Sequence, residues 1–185
     1  MKTIYFILAL IFLVFISCQK ESTERLLDSD VKFVPTDVII KTKGFYTIDK
    51  VFEFINSFDH KVESITYGFY TSTLPIDSLK YVLDYLKLKP YTHNGERGYA
   101  TGYVTNEIII FPKLFNMENK GFQADWLHSM EVLKLAEKTD MEVSGNTIFF
   151  HVPIGKEKEW VEKFKKFDFV EWAELNYIFQ VNPWP

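Results

Sequence analysis

Cysteine is all but missing from this chain: Cys18 is the single one among 185 residues. No internal disulfide can form, so the fold must hold by packing alone. A cysteine-based zinc site and a thiolate nucleophile in the body of the protein are excluded as well. Glycine is sparse, with 8 residues, and no Walker loop, dinucleotide fingerprint or G-x-S-x-G elbow occurs. The four histidines, His60, His93, His128 and His151, show no i, i+4 pairing of the kind that ligates metal. Positive charge is outnumbered, 21 basic against 25 acidic side chains, and the lysines are dispersed. Nucleic-acid binding needs a clustered basic face and is therefore not expected.

Aromatics, by contrast, are plentiful: 18 Phe, 10 Tyr and 4 Trp. A composition of this kind buries a core and excludes disorder for most of the chain. The longest apolar run lies at the start, MKTIYFILALIFLVFISC, with Lys2 its one charged side chain. It is shorter than the roughly 20 apolar residues a membrane span requires and fits the h-region of a secretory signal. Ser17 followed by Cys18 resembles the lipobox of bacterial lipoproteins. That resemblance implies cleavage after residue 17, diacylation of the Cys18 sulfur (palmitate-type chains) and attachment to a membrane of the cell envelope. Gln19, rather than Asp, favours the outer membrane over the inner by analogy with lipoprotein sorting. One acyl chain binds marginally, at about 0.8 kcal/mol per buried CH₂, whereas two or three hold firmly.

Residues 18–36 read as a flexible tether, QKESTERLLDSD followed by an extended VKFVP. Eighteen residues of flexible chain reach about 20 to 25 Å on a root-mean-square basis. From Asp37 the pattern orders. Val38-Ile39-Ile40 predicts a strand, and Ile48, Val51, Phe52 and Ile55 predict a helix face at i, i+3, i+4, i+7. Val62 to Thr71 is rich in strand formers, with Gly68 a bulge or a point of close approach. Leu79, Val82, Leu83 and Leu86 predict a helix between Pro75 and Pro90, and Tyr99 to Val104 a further strand. The second half repeats this grammar. Glu107 to Phe111 predicts a strand, Leu127, Met130 and Leu133 a helix face, and Met141 to Val143 and Thr147 to Val152 two strands about Ser144-Gly145-Asn146. Trp160, Val161, Phe164 and Phe167 predict a last helix, and Phe169 to Val181 a closing strand whose Tyr177, Phe179 and Val181 face the core.

Leu74-Pro75-Ile76-Asp77 stands against Val152-Pro153-Ile154-Gly155, and at the same offset Val82, Leu83 and Leu86 fall on Trp160, Val161 and Phe164. This suggests an internal duplication. The expected class is α+β, with tandem ferredoxin-like split β-α-β sandwiches at 37–105 and 106–185. Within the second, Val152, Pro153 and Gly155 before a helix, then Val170, Ala173, Glu174 and Asn176 entering the last strand, resemble the subtilisin propeptide or inhibitor I9 family. The likeness covers residues 147–181, and Leu175 stands where that family usually has proline. It implies that a sheet face could cover a protease, with YIFQVNPWP as the tail, acting in trans because no protease domain follows in this sequence. The alternative for that tail is a core-filling strand.

No catalytic constellation is visible. Asp125 and His128 lie at i, i+3 without a nucleophile, Arg97 sits in a glycine-containing turn, and His151 reads as an ordinary strand histidine. Trp184, between two prolines, is either docked or a partner contact. The expectation is a non-enzymatic, lipid-anchored envelope protein, without cofactor or metal, that binds a protein partner. Its alternatives are a protease inhibitor or propeptide-like folding helper, and an envelope hydrolase. Convergent carboxylates in a pocket would favour the hydrolase.

Overall fold

The computed structural model describes residues 32–66, 68–92, 107–138 and 145–178. The leader, Cys18, most of the tether, Arg97, the expected strands 99–104 and 141–143, and the tail from Phe179 lie outside them. The chain divides into two units, residues 1–33 with 177–185, and residues 34–176. Of the first, Lys32, Phe33, Tyr177 and Ile178 are described, and the Ile178 N–H donates to the Lys32 carbonyl at 2.7 Å.

The larger unit is α+β, with two antiparallel sheets and four helices. In chain order the elements are β1 (Phe33–Thr42), α1 (Ile48–Ile55), β2 (Lys61–Thr66), β3 (Tyr70–Ser72), α2 (Leu79–Lys87), β4 (Ile108–Ile110), β5 (Leu114–Phe115), α3 (Lys120–Val132), β6 (Leu135–Glu137), β7 (Thr147–His151), α4 (Glu157–Phe164) and β8 (Val170–Tyr177). One sheet has the order β5-β2-β7-β1-β8 and the other β4-β3-β6. Among the described residues no helix is long and apolar enough to cross a membrane.

The elements follow the sequence pattern, whereas their partners do not. The sequence suggests one sandwich in each half, yet β7 pairs with both β1 and β2, so the halves interleave in one sheet. Phe150 opposes Val38 and Val62 across that sheet, and all three are buried. Helices α1 and α4 cover this face. The Phe150 ring stacks on Phe164 at 5.1 Å and meets Phe54 edge-on at 6.3 Å. Each such buried Phe contributes about 1.5 to 3 kcal/mol of transfer free energy. Tyr70–Ser72, Ile108–Ile110 and Leu135–Glu137 form the second sheet, and β5 returns to the edge of the first.

Helix α3 turns inward a face that only partly matches the one expected: Leu133, at its end, is buried and Met130 is half-buried. Gln123, Trp126 and Ser129 are buried and Leu127 is exposed. The polar side chains of Gln123 and Ser129 are tolerated there because both are hydrogen-bonded, whereas the buried Trp126 Nε1 has no partner. Gln123 and Asn56 exchange amide hydrogen bonds at 2.9 and 3.0 Å, and the Ser129 hydroxyl donates to the Asp125 carbonyl. Tyr177 is also exposed, so the closing strand buries Val170, Ala173 and Leu175 instead.

Gly68 is a point of close approach: a Cβ there would lie 2.8 Å from Asn146 Oδ1 and 2.9 Å from the Tyr70 ring. A side chain there would force the Asn146 amide and the Tyr70 ring to shift.

Candidate functional site

On the face of the large sheet opposite α1 and α4, three strands bring Asp37, His151 and Glu63 together. Asp37 and His151 are direct cross-strand partners in β1 and β7. Glu63 arrives by a β-bulge. The register slips between Val62 and Ser64, leaving Glu63 as the extra residue beside the strand that carries His151. His151 Nδ1 lies 3.0 Å from Asp37 Oδ1, and its Nε2 lies 3.6 Å from Glu63 Oε2. One ligand atom from each residue falls within 4.8 Å of the others, a grouping able to hold a metal ion.

Asp37 is the anchored member, with only 7% of its surface exposed. Its Oδ2 accepts Asn176 Nδ2–H at 2.9 Å, and its Oδ1 accepts the Thr36 hydroxyl at 3.3 Å. A buried carboxylate carries its charge only when such donors surround it. Thr36 itself has φ 74°, a conformation foreign to a β-branched residue. Its N–H donates to Glu157 Oε1 at 2.8 Å, and its carbonyl accepts the Val152 N–H at 2.8 Å. Those two bonds hold a strained backbone immediately before Asp37, at a typical cost of about 1 to 3 kcal/mol. Glu157 also accepts the Gly155 N–H. Burial opposes its charge, but these backbone donors prevail and its carboxyl stays below the usual carboxylate range.

Several of the residues singled out in the sequence meet here. Val152, Gly155 and Asn176 all touch the frame of the cluster, Val170 and Ala173 are buried, and Pro153 and Glu174 are exposed. His151 is not an ordinary strand histidine. Asp37 and Glu63 carry no sequence signal, since each is one carboxylate in a strand and only the pairing of β7 with both neighbours unites them. His60, His128 and the Asp125 pair lie elsewhere. His128 contacts Glu131 at 3.7 Å, and Asp125 binds Lys89 and Tyr91.

No family model, no curated protein and no solved structure matches the chain. The inhibitor-like stretch at 147–181 therefore rests on the quoted residues alone.

Chemically, the cluster offers an imidazole whose orientation is fixed at Nδ1 and whose Nε2 faces a second carboxylate. No side-chain hydroxyl sits at Nε2 among the described contacts; the Thr36 hydroxyl lies on the Nδ1 side, at 3.5 Å. A serine-protease-like relay needs the acid and the nucleophile on opposite ring nitrogens. This arrangement lacks that order. Among the described residues, one surface cavity away from it lies beside Tyr81 and Tyr85 on α2 and Leu88 at its end, and another beside Phe58, His60 and Glu118.

Proposed function

We propose that this chain is a lipid-anchored envelope protein whose folded body binds a protein partner and performs no catalysis of its own. The observation that carries the reading is the leader that ends at Ser17-Cys18, with Cys18 the sole cysteine. Leader, tether and body follow one another in the order that such anchoring requires.

The body itself reads best as one ferredoxin-like sandwich built from both ends of the chain, not two in tandem. The order β8-β1-β7-β2, with α1 and α4 on one face, supports this, and residues 67–146 are then an insertion. The face away from the helices is the docking surface in this reading. Ile39 and Phe149 are half-buried there, and Trp172 on β8 is 38% exposed. A large aromatic in that setting is the residue type that dominates protein–protein contacts.

A second reading, a protease inhibitor acting in trans, draws on the same strand order and on Asn176, which matches the inhibitor motif and bonds Asp37. Two carboxylates beside His151 favour the hydrolase alternative, but the side for a nucleophile is wrong.

Membrane fractionation tests the main reading. Cys18→Ala should move the protein from the membrane to the soluble fraction without changing its thermal unfolding. Retention of the variant in membranes would contradict the anchor.

A further inference from the structure

We propose that His151 Nε2 and the Glu63 carboxylate bind a divalent transition-metal cation of the zinc class, with Asp37 as the residue that positions the imidazole. Asp37 fixes the ring at Nδ1. Asp37 is an acceptor when ionised, and its Oδ1 lies 3.0 Å from His151 Nδ1. A hydrogen bond at that distance requires the proton on Nδ1, so the network assigns the neutral ring a bare lone pair at Nε2.

That lone pair meets another acceptor. Glu63 Oε2 stands 3.6 Å away, so in the neutral ring two acceptors face each other, and in the doubly protonated ring the pair is an ion pair whose proton a metal ion would displace. A cation between the two removes the repulsion. For a tetrahedral ion with ligand bonds near 2.1 Å, the distance between two ligand atoms is about 3.4 Å. The observed separation is close to that without rearrangement. Occupancy by the harder magnesium or calcium ions is disfavoured, because those ions prefer oxygen donors only.

The surroundings agree with the assignment. A carboxylate that accepts the N–H of a ligating histidine is the usual outer support of a zinc site, and Asp37 occupies that place. Asn176 and Thr36 fix Asp37 in turn. The His151 side chain is 30% exposed and that of Glu63 46%, so an ion can enter and water can complete its coordination. The bulge that delivers Glu63 interrupts the ladder register and turns its carboxylate toward His151.

Calorimetric titration of the purified full chain with Zn²⁺, and visible absorption with Co²⁺ as a spectroscopic stand-in, test this. One ion should bind per chain, with micromolar affinity. His151→Gln should abolish binding, and Glu63→Gln should weaken it at least tenfold. Asp37→Asn should weaken it tenfold or more although Asp37 does not touch the ion, and it should alter the Co²⁺ band shape, which a residue of purely structural role would leave unmoved. Glu63 is half exposed, so its variant keeps the fold if His151→Gln does not. The exposed His128→Gln should have no effect. Unchanged affinity in Glu63→Gln, loss of binding in His128→Gln, or no one-to-one binding below millimolar concentration would overturn the proposal.

Discussion

Asn176, on the last strand, donates a 2.9 Å hydrogen bond to Asp37 on the first, across 139 positions of sequence. The bond closes the large sheet around the His151 cluster and leaves Asp37 with a partner on each oxygen. Asn176→Ala removes a donor from a buried carboxylate. We predict a loss of about 1 to 3 kcal/mol in urea unfolding. Asn176→Asp, which sets a second charge against Asp37, should cost more.

The glycines make a graded series. A Cβ at Gly145, where φ is +108°, would lie 2.3 Å from the Thr42 carbonyl oxygen, which is backbone and cannot move aside. Gly145→Ala should therefore be the most damaging of the three, by more than about 3 kcal/mol, with Gly68→Ala next at about 1 to 3 kcal/mol. Gly155 has φ +78° but open space around it, so Gly155→Ala should cost about 1 kcal/mol. Thermal unfolding of the three variants checks the order.

Two carboxylates should give opposite pH slopes. Burial opposes the charge on Asp125, but the Lys89 ammonium and the Tyr91 hydroxyl outweigh it and hold its carboxyl below the ordinary value of 3.8. Its stabilisation is present above that value and is lost as pH falls through the lowered one. Glu137 is shifted the other way. Burial raises its carboxyl above 4.5, although both oxygens accept the Ile48 N–H at the start of α1, at 2.9 and 2.8 Å. The folded state then holds the proton longer, and stability falls as pH rises from 4.5 through the raised value. Urea unfolding across acid pH should show Asp125→Asn flattening the first limb and Glu137→Gln the second.

Tyr70 is fully buried, and its hydroxyl lies beside the Trp126 indole and the Glu137 carboxylate without hydrogen-bond geometry to either. Removing an unsatisfied buried hydroxyl is close to neutral or favourable. Tyr70→Phe should leave stability within about 1 kcal/mol of the parent or raise it, as read by urea midpoint.

Local pattern predicted local structure well. Ile48, Val51, Phe52 and Ile55 are all buried on α1, and helices follow Pro75 and Pro153 as the duplication suggested. Pairing was not legible, because no residue in β1 or β2 announces that β7, more than 80 positions on, will come between them. Helix α3 misled for a related reason. Its inward face carries Gln123 and Ser129, polar residues whose partners Asn56 and Tyr91 lie far away in sequence. The metal-binding group was hidden in the same manner. His151 was visible as a histidine, but Asp37 gains meaning only through the regular β1–β7 register and Glu63 only through the bulge in β2, which place them at its two nitrogens.

The central claim is attachment through one sulfur, and mass spectrometry of the N-terminal peptide from envelope-purified protein tests it most directly. The account predicts a chain that starts at Cys18 and carries a diacylglyceryl mass. An intact peptide beginning at Met1, or a first residue other than Cys18, would contradict it.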